Sequence, residues 1–302
     1  MSQQQIGELA ALATAVLWTL SALAWTSAGR RVGALAVSFL RLLLAVVMLM
    51  VYGYFRRGLA WPSDADSRVW QVLGISGFLG FFASDLCLFK AFLILGPRLS
   101  LLVVTSLTPP LVVLISWMWR GTGLDPKAWL AMAITLAGVL WVVLEQPDGN
   151  EHPHSRKTLR YGLFLVAVAT AAQALGTVLA KDGVADYDPA ASALIRVLGA
   201  LVGYFLLISV LGRWRPMVAA SRQCKPMLIV LGGTVVGPVV GVSMFMLALQ
   251  NCHEGIVATI LATIPVMILP FSVYLYGERV SVRAIGGALV AAAGVALLML
   301  PG

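Results

Sequence analysis

Apolar runs separated by short polar breaks cover the chain from residue 8 to residue 300. They follow neither the period of two of a half-buried strand nor the one-sided stripe of a helix lying on a soluble core. Most are about 18 to 24 residues long, enough for a helix rising 1.5 Å per residue to cross a hydrocarbon layer roughly 30 Å thick. Ten such segments are predicted, over residues 8–28, 34–55, 69–92, 97–119, 128–145, 159–180, 189–211, 226–249, 255–276 and 282–300. Helices are required there, because lipid supplies no partner for backbone N–H and C=O groups.

The pattern also repeats. Gly7, Arg41, Pro109, Gly121 and Gly138 find identical partners at Gly162, Arg196, Pro265, Gly277 and Gly294, a shift of 155 residues that becomes 156 after one insertion. Charges are rare and costly inside apolar runs, so two arginines at one offset point to duplication. Each copy holds five segments, an odd number, and the second copy must therefore enter the membrane from the opposite side. The predicted fold is an all-α membrane protein of ten transmembrane helices in two inverted five-helix repeats. The first repeat spans 1–145, a polar connector with Pro147, Asp148, Gly149 and Asn150 spans 146–158, and the second repeat spans 159–302.

Composition narrows the class. Of 302 residues 60% are hydrophobic and 11% charged, against about 45–50% and 25% in water-soluble chains. The net charge of +8 sits mostly in short loops, where lipid headgroups are the expected partner and nucleic acid is not. Met1 to Gly7 contains no Lys or Arg, so the first segment is not expected to be a cleaved signal peptide. Three scattered cysteines, Cys87, Cys224 and Cys252, specify neither a disulfide framework nor a metal site. His152 and His154 in the connector read as solvated loop residues, and neither metal nor cofactor is expected. In the second half nine basic residues, Arg156 to Arg283, fall on one side and only Lys181 on the other, which by the positive-inside rule places both termini outside.

Polar positions inside the segments carry the candidate chemistry. Gly74, Gly77 and Gly80 run along the third segment and Gly233, Gly237 and Gly241 along the eighth, as ridges that let helices approach closely. Pro109 and Pro110 interrupt the fourth segment beside Thr105, Ser106 and Thr108, and the matching Pro265, followed by Pro270, interrupts the ninth beside Thr259 and Thr263. A proline removes an i to i−4 hydrogen bond, so kinks are expected, with neighbouring hydroxyls serving the freed carbonyls. Duplicated kinks with polar neighbours point to gating helices around a midplane site. The alternative is a static kink whose hydroxyls serve only their own backbone.

Arg41, Arg196, Asp85 and Lys90 are the deep ionisable groups. Inserting one costs about 2.5–3.5 kcal/mol, so each needs a partner, a wet cavity, or a route by which a long side chain reaches the headgroups. Asp85 and Lys90 lie roughly 140° apart around a helix and do not share a face, so Asp85 is expected to meet an arginine from another helix. One cation then remains, and the cavity favours an anionic or carboxylate-bearing solute. Trp18, Ser21, Gln173 and Gln250 complete the candidate lining. Asp85 is the candidate carrier of coupling protons, because burial and a neighbouring cation act oppositely on a carboxylate; a fixed ion pair is the alternative.

The residues Trp18, Arg41, the stretch before Pro109, and above all Ala258-Thr259-Ile260-Leu261-Ala262-Thr263-Ile264-Pro265 with Gly277-Glu278-Arg279, Gly286-Gly287-Ala288 and Gly294 resemble the drug/metabolite transporter superfamily, EamA family. The resemblance covers the whole chain. It implies a non-enzymatic, alternating-access carrier of the bacterial inner membrane that exports amino acids, other metabolites or drugs and holds its solute between the halves. It also implies cytoplasmic termini, opposite to the charge tally. Cationic drugs are the alternative cargo; a channel or a membrane-embedded enzyme are alternative classes, the last without an HExxH or GxSxG motif to support it.

Overall fold

The computed structural model describes residues 2–145, 156–268, 271 and 281–299, and among them every regular element is a helix. α1 (Gln3–Val32) and α2 (Ala34–Arg57) are joined by Gly33 alone, whose φ of +88° is open to glycine and strained for other residues. The chain therefore reverses within one residue. α3 (Ser67–Gly77), a π-helical turn π1 (Phe78–Ala83) and the start of α4 (Ser84–Arg120) run on as one span. Gly96, at φ +80°, breaks α4, so that Ser67–Gly96 and Ser100–Arg120 cross separately. α5 (Pro126–Glu145) completes the first half.

The second half holds α6 (Arg156–Val184), α7 (Pro189–Val210), a short α8 (Trp214–Ser221), α9 (Cys224–Thr234), a second π-helical turn π2 (Val235–Gly241), α10 (Val242–Asn251), α11 (Glu254–Leu261) and α12 (Val282–Met299). Among the described residues eight helices are long and apolar enough to cross a membrane; two shorter apolar ones, Glu254–Ile268 and Arg283–Met299, overlap the predicted ninth and tenth segments. Pro270, Gly277, Glu278, Arg279 and the connector with His152 and His154 lie outside the described residues. The sequence pattern gave no warning of α8. Its Trp214 packs edge-on against Phe39 and Phe205 at 5.6 and 5.0 Å between ring centroids, while Arg213, Arg215 and Arg222 stay exposed, as suits a helix lying at a membrane surface.

The halves pack by exchanging equivalent partners. α1 lies against α9, π2 and α10, and α6, its counterpart, lies against α3 and π1. α3 meets α7 as α9 meets α2, while α2 meets α7 and α5 meets α12 directly. Glycines set the distances. A methyl group on Gly138 would stand 2.3 Å from the Ala291 backbone nitrogen, and one on Gly294 would stand 2.3 Å from Thr135 Oγ1. These are the same contact made twice, because Gly138 matches Gly294 and Thr135 matches Ala291 at the 156-residue shift.

The two glycine ridges serve different ends. On α3 and π1, methyl groups at Gly77 and Gly80 would meet the Arg196 backbone and the Arg196 side chain, so this ridge admits a neighbouring helix closely, as expected. On α9 and π2, methyl groups at Gly233, Gly237 and Gly241 would strike Trp25, Ser21 and Trp18. That ridge is a slot for indole rings.

The prolines also differ from their predicted symmetry. α4 keeps helical backbone angles through Pro109 and Pro110, its one non-helical residue being Gly96. Around Pro265 the helix does break: Ala262 and Thr263 form a turn, and helical turns resume over 264–268. The hydroxyls of Thr105, Ser106 and Thr108 donate to the carbonyls of Leu101, Leu102 and Val104, not to the Thr105 and Ser106 carbonyls that the prolines leave free. What recurs instead is the π-helical turn, with π1 and π2 beginning 157 residues apart and Pro238 inside the second. A wider turn frees backbone groups and flattens one helix face, and such turns cluster at functional sites.

Candidate functional site

Both π-helical turns face one cavity of about 350 Å³ at the middle of the bundle. Trp18, Ala22 and Trp25 of α1 line it with Arg41 and Leu42 of α2, Gly80 and Phe81 of π1, and Asp85 and Leu88 of α4. The second half contributes Gln173 of α6, Val197 of α7, Gly237 and Pro238 of π2, Val242 of α10, and Ile264. Two indoles, a phenyl ring and aliphatic side chains make the wall largely apolar. Orientation of a solute therefore falls to very few polar groups.

Arg41 and Asp85 are the foremost of these. Arg41 Nη2 donates to Asp85 Oδ2 at 2.9 Å, joining α2 to α4, so Asp85 does meet an arginine from another helix. The Arg41 guanidinium also lies over the Trp25 ring at 4.2 Å from its centroid, where the negative π-face stabilises a cation. Side-chain exposures of 14% and 26% keep the pair in touch with the cavity. Lys90 points away and is exposed.

Arg196 has a different setting. It is 2% exposed and sits behind Phe81, with its guanidinium 4.5 Å from the Phe81 centroid and 5.2 Å from that of Phe245. Its Nε and Nη1 are buried without a hydrogen-bond partner, and no carboxylate among the described residues pairs with it. The snorkelling alternative does not apply to such a side chain.

Of the other predicted residues, Trp18 and Gln173 line the cavity. Ser21 is fully buried; its Oγ donates to the Trp18 carbonyl at 3.0 Å and faces Gly237, one layer behind the wall. Thr105, Thr108, Thr259 and Thr263 are not among the residues lining the cavity, and each hydroxyl donates to a carbonyl three or four residues earlier on its own helix. Thr263 instead borders a smaller apolar space beside Ala291 and Val295. Pro109 and Pro265 are buried and outside the lining. Gln250 lies at the far end of the bundle, where its Nε2 donates to the carbonyls of Ala185 and Tyr187 at 2.7 and 3.3 Å.

That end carries a charged network that the sequence pattern did not reveal. Arg120, the last residue of α4, pairs with Asp182 of α6 and with Glu254, the first residue of α11. Ser116 also donates to Glu254, whose side chain is 2% exposed, and Arg120 Nη2 donates back to Ser116 Oγ at 3.0 Å. Lys181 Nζ caps the end of α10 by donating to the carbonyls of Leu249, Gln250 and Cys252. Burial pushes the Cys252 thiol up to about 12 and holds the His253 imidazole below its usual value. A second cluster joins Arg57, Asp64 and Tyr187 at the same end, with Tyr187 donating to Asp64 at 2.8 Å.

The cavity thus extends from the midplane toward the end where α1 turns into α2, through Trp25, Arg41, Asp85 and Leu88. The equivalents of Arg41 and Leu88 in the other half, Arg196 and Phe245, lie toward the opposite end and are packed.

The EamA-like transporter family model matches residues 5–144 and again residues 160–300. A solved structure described only as "Crystal structure of protein" superposes with a TM-score of 0.76, covering 97% of this chain and 96% of its own at 18% identity, a likeness of fold. No curated protein matches the sequence.

Proposed function

Because the chain belongs to the EamA-like transporter family, we propose that it is an alternating-access secondary carrier with ten spans in two inverted repeats. Its cargo is a small metabolite such as an amino acid or other carboxylate-bearing solute, and it works as an exporter in the bacterial inner membrane. One observation carries this reading: a cavity lined by matched elements of both repeats extends toward one end of the bundle, while ion pairs tie the halves together at the other. Inverted halves of similar structure exchange roles at low cost, which turns one such asymmetric state into two. Arg41 and Asp85 balance each other in the cavity wall, and Arg196 directly behind Phe81 adds a second, unbalanced cation close to it.

A cationic cargo would draw on Asp85 and the indole rings, but Arg41 already occupies that carboxylate.

Counterflow in proteoliposomes tests the proposal. Internal unlabelled solute should accelerate uptake of the labelled form, and uptake should saturate. Uptake that is linear in concentration and indifferent to internal solute would favour a channel and remove the carrier reading.

A further inference from the structure

The duplication gives each half an arginine at one position but gives only one of them a carboxylate. Arg41 and Arg196 match at the 155-residue shift. In the spans that carry the π-helical turns the shift is 157, set by Gly80 with Gly237 and by Ala91 with Ala248, and there Asp85 corresponds to Val242. Asp85 and Val242 both line the cavity. Arg41 is therefore neutralised by its own half, while the matching arginine has a valine at the corresponding position.

The consequence shows in the hydrogen bonding. Arg41 Nη2 has Asp85 at 2.9 Å, whereas Arg196 has two ring faces and two buried N–H groups with no acceptor. A desolvated guanidinium left unpaired is costly, and a purely structural site would fill more cheaply with an aliphatic side chain. Its third nitrogen, Nη2, approaches Gly80, 3.1 Å from where a β-carbon would stand, and Gly80 and the adjacent Phe81 form the cavity wall there. Glycine at residue 80 keeps that approach clear.

We infer that Arg196 is the recognition residue of the cavity, binding the carboxylate of the solute in the place that the Asp85 carboxylate takes at Arg41. The inference rests on the carrier reading above and adds to it which cation selects the solute and why. A guanidinium offers parallel N–H donors that suit a carboxylate, and the unpartnered Nε and Nη1, enclosed behind Phe81, supply them once that ring moves aside. Val242 is the second determinant: because it is apolar, no protein carboxylate competes for Arg196.

The test uses the full-length purified protein and two matched probe pairs, benzoate with benzamide and L-phenylalanine with L-phenylalaninamide, together with pyruvate and L-glutamate. Thermal shifts should appear with carboxylates and not with the amides. Arg196→Gln should abolish them, but that variant also removes two aromatic contacts, so Val242→Asp is the sharper change. It should fold with a melting temperature at or above that of the parent, since it pairs a buried cation, yet bind carboxylates at least tenfold more weakly. Val242→Asn, of the size of aspartate without its charge, separates charge from shape and should weaken carboxylate binding several-fold less than Val242→Asp does. Carboxylate binding in Val242→Asp equal to the parent overturns the inference. So does a parent that responds to none of the carboxylates, or equally to acids and amides. In those cases counterflow of an amide or amine would leave the carrier reading standing, while a bound solute that shows no counterflow removes that reading itself.

Discussion

Arg120 at the end of α4 grips Glu254 at the start of α11, so the last turn of a span in one half is tied to the first turn of a span in the other. Both groups lie at helix ends of matching sign, a cation on carbonyls and an anion on N–H groups, which adds to the pairing. The contact belongs to the end of the bundle that the cavity does not reach. It ties the two halves together at that end.

Removing the charge at Glu254 should loosen that end without unfolding the protein, because Arg120 keeps Asp182. Cys252 reports the change. It is 4% exposed, and burial raises its thiol pKa to about 12, so near neutral pH it is almost wholly protonated and should react slowly. In a Cys87→Ala, Cys224→Ser background, Glu254→Gln should raise maleimide labelling at pH 7.5 by about tenfold or more, as the thiol returns toward the usual value near 8.5 and gains thiolate. The parent rate should climb with pH only in the alkaline range. Equal rates in parent and variant would mean that this pair is not part of the closure.

Gly138 and Gly294 should be among the least replaceable residues. Their neighbours are backbone atoms of α12 and the Thr135 backbone and hydroxyl, which cannot swing aside as a flexible side chain would. Forcing atoms into a packed interface costs about 1–3 kcal/mol or more, so Gly138→Val should lower the melting temperature in detergent and the folded yield. Gly286, with nothing within 4 Å of an added methyl group, is the internal control on the same helix pair. A Gly286→Ala variant as unstable as Gly138→Val would contradict this.

The Arg41–Asp85 pair should behave as a unit. Asp85→Ala leaves a cation beside the Trp25 ring, and for a pair still 14% and 26% exposed the loss should be about 1–3 kcal/mol, below the 3–5 expected of a fully buried pair. Arg41→Leu combined with Asp85→Leu should recover most of it, since neither charge is then stranded. A double-mutant cycle on melting curves measures the coupling; additive losses would show that the two are independent.

Asp85 also allows a separate test of coupling to protons. If its carboxylate passes between Arg41 and a proton, Asp85→Asn should eliminate acceleration of flux by a pH gradient while leaving counterflow within a few-fold of the parent. Gradient-driven flux in Asp85→Asn, or none in the parent, would assign the pair to structure alone.

The sequence made the repeat legible because its markers are expensive. Charged and proline residues survive in apolar runs only for a reason, so Arg41 with Arg196 and Pro109 with Pro265 stood out. Asp85 was legible for the same cause, including its need for an arginine. The hydroxyls misled, since Thr105, Thr108, Thr259 and Thr263 look alike whether they face a solute or their own helix. The duplicated irregularity lay in the π-helical turns, and its trace in sequence was slight: Gly80 with Gly237, and Pro238 without a matching proline. The network around Arg120 was invisible because Arg120, Asp182 and Glu254 lie at helix ends, where charges are ordinary until the fold brings three ends together.

The ridge of Gly233, Gly237 and Gly241 yields the most direct control over cavity shape. A methyl group at Gly237 would lie 2.8 Å from both Ser21 Oγ and the far edge of the Trp25 ring, and Trp25 lines the cavity under Arg41. The indole is too rigid to fold away, having only two side-chain torsions, so it should move into the cavity of about 350 Å³. Gly237→Ala should therefore raise KM for solutes the size of tryptophan by several-fold and leave KM for pyruvate-sized solutes almost unchanged, with little loss of stability. Trp25→Phe in that background removes the edge that collides and should restore KM for the larger solutes. If the small and large solutes were affected alike, or if Trp25→Phe gave no rescue, the ridge would be acting on helix packing and not as a seat for the indole.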